Sequence, residues 1–196
     1  MNFVIAYFIL KLITRGGIVR IGIDLDDTIF DTGKKYKTLQ SDFLLKNGIT
    51  EEELWKDKKN RFDFIKSNFE NIFFDLDVKN NAKKTIDLLK TLNHEIYIIT
   101  SRSQRYSKDI FDITKDSLLK NGICFDKLIL TEKEKLKACL ENKIDIMIDN
   151  SIEVYRELYQ TNIKIILYDE ECNYLNLSNR VSSWQELFEM FRGDEK

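Results

Sequence analysis

Ile21-Gly22-Ile23-Asp24-Leu25-Asp26-Asp27-Thr28 is the stretch on which the reading of this chain turns. A β-branched run ends in two carboxylates spaced i, i+2, with a hydroxyl at i+4 from the first. In a strand, Asp24 and Asp26 share one face. Here the strand is expected to stop at about Asp24, so that the second carboxylate curls back over its end. Two acids held this close repel, and one stays protonated unless a cation lies between them. Mg²⁺ suits the place, being a hard ion that takes carboxylate, carbonyl and water oxygens together with a substrate phosphate. The pattern points to phosphoryl transfer.

Around this motif the chain alternates. Five β-rich runs, 19–24, 95–100, 127–130, 145–149 and 164–168, are separated by helical periodicity over 82–92, 107–121, 133–142 and 152–159. Such alternation predicts an α/β fold, a Rossmann-like parallel sheet flanked by helices with right-handed crossovers. A last helix is expected to start at Ser182 or Ser183, with Glu186 completing a capping box for Ser183. The exception is the stretch 30–79, which has no convincing strand and many aromatics, among them Tyr36, Phe43, Trp55, Phe62, Phe64 and Phe73. An insertion of that length is not a loop. It is read as a small helical cap over the sheet's C-terminal edge, leaving 19–29 and 80–196 as the core domain. Ligands of open α/β sheets bind at that edge.

Composition narrows the classes. A chain of 196 residues holds one core, or one core and a small lid. Its hydrophobic content of 43% and charged content of 33% are those of a soluble globular protein. A net charge of −2 gives no global attraction to nucleic acid or anionic membrane, so neither is expected as a partner. Cys124, Cys139 and Cys172 are odd in number and lack a CxxC pair, which argues for a reducing cytoplasm and against disulfides or zinc. Cys124 and Cys139 lie in apolar contexts and read as small core residues. His94 is the only histidine and sits in the polar run Asn93-His94-Glu95, where it reads as a surface turn residue. The apolar run 1–14 is too short to span a bilayer and lacks the pattern of a secretory signal. Residues 1–18 are read as an N-terminal extension or a misassigned start, with Val19 as the expected first residue.

Three further features converge on the same edge. The run Ile96–Ile99 ends in Thr100-Ser101-Arg102, where hydroxyls and backbone N–H groups can hold a phosphate oxygen. Lys135, near the start of a helix, places an ammonium where it can reach back toward phosphate. The run 144–148 ends in Asp149-Asn150, a second supply of metal-binding oxygens. Thr28, Ser101 and Arg102 are the candidate substrate-binding residues. Arg102 and Arg105 share a loop, and each is read either as contacting a second anionic or polar part of the substrate or as solvated. A second Asp-x-Asp, at Asp75 and Asp77, lacks the hydroxyl at i+4 and reads as a linker. Phe43, Trp55 and Phe62 either stack on a base or form the core of the cap.

Four elements in this order, each at a strand end or helix start, resemble the haloacid dehalogenase superfamily from Val19 onward. Asp24-Leu25-Asp26-Asp27-Thr28 is similar to its first motif, Thr100 to its second, Lys135 to its third and Asp149-Asn150 to its fourth. Within it, Ile98–Arg102, Thr114, 118–123 and 125–128 look most like the 5′-nucleotidase branch that includes the cytosolic type C deoxyribonucleotidases. The resemblance implies that Asp24 is the nucleophile, giving an aspartyl-phosphate. It implies that Asp26 protonates the leaving oxygen and then deprotonates water. Thr100 and Lys135 would neutralise the equatorial oxygens. Mg²⁺ would bind Asp24, the backbone carbonyl of Asp26, Asp149 and Asn150. The family often carries two acids where this chain has Asp149-Asn150, so Asn150 is either a weaker ligand or only a helix cap. The expected substrate is a small phosphomonoester, with a 5′-nucleotide as the case the resemblance suggests. A sugar phosphatase, a phosphomutase and a non-catalytic binding protein are the alternatives.

Overall fold

The computed structural model describes residues 17–132 and 134–192. The expectations for residues 1–16 lie outside the described residues. Strands β1 (Arg20–Ile23), β2 (Glu95–Thr100), β3 (Lys127–Leu130), β4 (Ile146–Asp149), β5 (Lys164–Tyr168) and β6 (Arg180–Val181) form one parallel sheet in the order β3-β2-β1-β4-β5-β6. The first five match the predicted runs to within one residue at each end. The sixth is two residues long, too short to carry a period, and is held by Leu167 N–H on Asn179 and Asp169 N–H on Val181.

The helices are α1 (Thr32–Asn47), α2 (Glu51–Lys56), α3 (Lys58–Ser67), α4 (Phe69–Phe73), α5 (Ala82–Thr91), α6 (Ile110–Lys120), α7 (Lys135–Glu141), α8 (Ile152–Tyr159) and α9 (Trp184–Arg192). Strand alternation divides the core between two faces. Ile21, Ile23, Ile96, Ile98, Ile146 and Ile148 point to one side, where α5 and α9 supply Ile86, Leu89, Trp184 and Leu187. Ile99, Met147, Ile165 and Leu167 point to the other, against Ala138 and Cys139 of α7 and Tyr155 and Leu158 of α8. Each fully buried side chain of this size contributes about 1.5–3 kcal/mol. Gly22 belongs to the second face and must be small: a Cβ there would meet the Met147 sulfur at 2.7 Å.

The segment 32–73 folds as helices around a cluster of its own, with Leu54, Phe64, Ile72 and Phe73 buried beside Ile110 of α6. Its local starts are well specified. Thr50 and Glu53 form a complete capping box for α2, and the Asp57 carboxylate caps α3 through the N–H groups of Lys59 and Asn60. The two chain crossings that connect it to the sheet pair with each other. Asp31 N–H donates to Asp77 at 2.9 Å and Lys79 N–H to Ile29 at 2.8 Å, with an antiparallel bridge between Phe30 and Val78.

Three local expectations are corrected. His94 is not a surface turn residue: it is 2% exposed, and its Nδ1 accepts the Val19 N–H at 3.4 Å. The turn folds under the start of β1, as Glu95 N–H on Val19 shows, and carries the ring inward. Cys124 is exposed, because the neighbouring Ile123 takes the inward position; Cys139 is buried as expected. The capping of α9 is shared between two serines. Ser183 Oγ accepts the Glu186 N–H, whereas the Glu186 carboxylate accepts from the N–H and hydroxyl of Ser182.

Candidate active site

Strand order reverses between β1 and β4, and the first and last acidic motifs leave the sheet there. This is the switch point where open α/β sheets bind ligands. Asp24 N–H donates to Ile148 at 2.9 Å, which sets Asp24 beside Asp149 at the end of β4. Both carboxylates are buried, and Lys135, the first residue of α7, lies between them. Its Nζ donates to Asp24 Oδ1 at 2.5 Å and to Asp149 Oδ2 at 2.6 Å. The free oxygen of Asp149 accepts the Ser151 N–H at 2.8 Å.

Burial works against the Lys135 ammonium, but the two carboxylates outweigh it and hold its pKa above the ordinary value. Burial pushes the Asp24 pKa up; Lys135 opposes that push, and the charge of Asp149 adds to it. These directions pull against each other, since a protonated Asp24 gives Lys135 less to pair with. The 2.5 Å contact is that of an ion pair, so the geometry holds the ionised form. One ammonium between two buried carboxylates leaves a net negative charge.

The Thr28 hydroxyl sits 3.1 Å from Asp24 Oδ2 and 3.4 Å from Asn150 Oδ1. It is buried and occupied within the site. Those two oxygens therefore face one small region on the side of Asp24 away from Lys135. Among the described residues no three His, Cys, Asp or Glu side chains gather as a metal cage. Mg²⁺ does not need one, because it binds through one or two carboxylates plus substrate phosphate and water. Hard oxygens, two of them charged, with uncompensated negative charge, fit that ion.

Asp26 turns the other way. Its Oδ1 accepts from Thr32 Oγ1 and from Arg102 Nη2, both at 2.8 Å, and its Oδ2 accepts from Arg102 Nε at 3.0 Å. Burial tends to raise the Asp26 pKa, but the Arg102 charge, its hydrogen bonds and that of Thr32 prevail and hold it below the usual carboxylate range. Asp27 makes the turn possible, with φ of 60° and its carboxylate accepting the Gly33 N–H at 2.6 Å near the start of α1.

Thr100 is buried at the end of β2, with its hydroxyl accepting the Arg102 N–H at 3.3 Å. Ser101 is exposed on the loop that follows. Arg102 does not face solvent as the loop reading had it. It is buried beneath the pocket on Asp26, because Phe73 and Thr114 supply acceptors there. Arg105 remains exposed and lies against the Tyr106 ring. Phe43 and Trp55 pack edge-on to Phe64 inside the helical insertion, while Phe62 stacks on Tyr106. The Tyr36 ring packs against Trp55 and Phe64, and burial, then the charge of Asp26, raise its phenol pKa. Beside Asn150 a cleft of about 450 Å³ opens between Asp27, Lys34, Lys79 and Tyr168. Thr32 was not read from the sequence, since a hydroxyl six residues after Asp26 follows no period.

No family model matches the chain. A curated relative, "Putative nucleotidase YqfW" of Bacillus subtilis (strain 168), is 26% identical over 184 residues, covering 86% of this chain and 91% of the relative. A haloacid dehalogenase-like hydrolase from Streptococcus pneumoniae superposes with a TM-score of 0.61 at 13% identity, over 87% of this chain and 96% of that one. A structure titled as a "predicted phosphatase" from Clostridium acetobutylicum gives 0.60 at 17% identity, again over 87% and 96%. Identities this low speak to architecture, and the architecture is unambiguous: this chain has the fold of the haloacid dehalogenase-like hydrolases.

Proposed function

We propose that the protein is a Mg²⁺-dependent phosphatase of small phosphomonoesters, with 5′-nucleotides as the substrate class. The observation that carries this reading is the buried Asp24–Lys135–Asp149 triad at the switch point. A nucleophilic carboxylate and a cation for phosphoryl oxygens meet there, in a site of net negative charge. The nucleotidase description of the Bacillus subtilis relative and the phosphatase title of the Clostridium structure agree with it.

Asp24, Asp149, Asn150 and the backbone carbonyl of Asp26 would hold the ion. Bound Mg²⁺ supplies charge neutralisation at the phosphoryl oxygens. Asp24 attacks phosphorus as the ester P–O bond breaks, and the departing oxygen takes a proton from Asp26. Water then attacks the aspartyl-phosphate, giving its proton to Asp26 and releasing phosphate and free Asp24. Thr100 and Lys135 bind the equatorial oxygens. The first half starts from protonated Asp26, which the proton taken from water in the second half regenerates; the Arg102 and Thr32 hydrogen bonds favour the ionised form that accepts that proton. The helical insertion serves as the cap, excluding bulk water and setting which leaving group fits.

The test is hydrolysis of p-nitrophenyl phosphate with Mg²⁺ by the wild type and Asp24→Asn. The wild type should turn over, and the variant should lose about 10³-fold or more while keeping its melting temperature. Equal activity of the two would overturn the reaction class. A screen of nucleotides against sugar phosphates decides the substrate class, and activity confined to sugar phosphates would remove the nucleotide.

A further inference from the structure

We infer that Arg102 is a positioning residue that ties the orientation of Asp26 to the docking of the helical insertion. The inference rests on the phosphatase reading, in which Asp26 handles the proton of the leaving oxygen.

Asp26 is gripped from both ends of the insertion. Thr32, the first residue of α1, donates to Oδ1 at the entry. Arg102 forks onto both carboxylate oxygens, and its remaining terminal nitrogen, Nη1, donates to the Phe73 carbonyl at 3.1 Å. Phe73 is the last residue of α4, at the exit, and its ring lies 4.9 Å from the guanidinium carbon. The same Nη1 donates to Thr114 Oγ1 of α6 at 3.2 Å, which fixes Arg102 to the body of the sheet domain. Ser117 reinforces this exit by donating to the Phe74 carbonyl at 3.0 Å.

The Arg102 side chain is 1% exposed, against 29% for Asp26. A guanidinium cannot shed its proton, so a buried one must keep its acceptors. Moving the insertion away removes the Phe73 carbonyl and the Thr32 hydroxyl together, and leaves Asp26 held only by a fork that has itself lost a support. The carboxylate is therefore in its fixed orientation only when both ends of the insertion are seated. Lys in place of Arg102 supplies one point charge, with no fork, and cannot satisfy both partners.

The experiment compares Arg102→Lys and Thr32→Val with the wild type on an alkyl phosphate and on p-nitrophenyl phosphate, with Mg²⁺. An alkoxide needs a proton to depart, and p-nitrophenolate does not. Arg102→Lys should lower kcat for the alkyl ester about 10²-fold with KM little changed, and lower the aryl ester by less than about 10-fold. Thr32→Val, which keeps the Arg102 fork, should shift the ratio in the same direction by less. Hydrogen exchange over residues 73–78 should quicken in Arg102→Lys. Equal losses on both esters mark a merely structural residue and overturn the inference. So does unchanged exchange, or faster alkyl turnover, which would make Arg102 a brake. A wild type inactive on both esters instead sinks the phosphatase reading, and this inference with it.

Discussion

The indole nitrogen of Trp184 donates to the backbone carbonyl of Thr28 at 2.7 Å, in a fully buried contact between residues 156 positions apart. The last described helix thereby braces the turn that carries the first acidic motif. Thr28 spends its hydroxyl on Asp24 and its carbonyl on Trp184, so the nucleophile candidate is linked to the far end of the chain by two hydrogen bonds. Thr85 repeats the pattern in reverse, its hydroxyl donating to the Trp184 carbonyl at 3.1 Å.

Trp184→Phe should therefore cost more than the lost ring volume. The Thr28 carbonyl is left buried without its donor, at about 1–3 kcal/mol. A lower denaturant midpoint, with a smaller loss of turnover at temperatures where the variant is folded, is the expected result. An unchanged midpoint would mean that the brace contributes nothing.

Lys135→Met removes the ammonium that lies between two buried carboxylates. Breaking such a pair costs about 3–5 kcal/mol, because the remaining charges are stranded. The metal-free variant should melt well below the wild type, and Mg²⁺ should return part of the difference by supplying positive charge at the same place. Thermal melts with and without Mg²⁺ measure both effects, and a variant blind to the ion would count against Asp24 and Asp149 as its ligands.

Asn150→Asp adds a formal negative charge beside Asp24 Oδ2, to which Asn150 Oδ1 is linked through one hydroxyl. Mg²⁺ binding should tighten, by about tenfold if the added charge is worth about 1.4 kcal/mol. Titration calorimetry on wild type and variant decides it; identical affinities would show that residue 150 is not a ligand.

His94 gives a pH dependence of stability. Burial holds its pKa below the ordinary value, so the unfolded chain takes up the proton more readily than the folded one. The stability is fully present above the unfolded pKa of about 6.5 and is lost as pH falls toward the folded value. Denaturant midpoints should drop on going from pH 7 to pH 5, and His94→Asn should flatten that slope. Equal slopes would remove His94 as the cause.

How much was legible follows from how each feature is encoded. Strands 95–100 and 164–168 were read to the residue because a buried parallel strand is a continuous apolar run bounded by polar turns. Asp24, Thr100, Lys135 and Asp149 stand at strand ends and a helix start, so the topology of the sheet brings them to one edge. Local chemistry misled where burial depends on distant chain. His94 looks polar among its neighbours, yet the start of β1 covers it. Cys124 looks apolar, yet the turn at Gly122, with φ of 65°, sends Ile123 inward instead.

The sequence by itself determined the alternation of strands and helices, the helical insertion, and the edge at which the acidic motifs emerge. These are properties of near neighbours, set by periodicity and by which residues can end a strand. Only the tertiary structure decided that Arg102 turns under the pocket to hold Asp26, that Lys135 lies between Asp24 and Asp149, and that Trp184 reaches Thr28. The direction of a long side chain is fixed by acceptors brought near by folding, and no spacing along the chain records them.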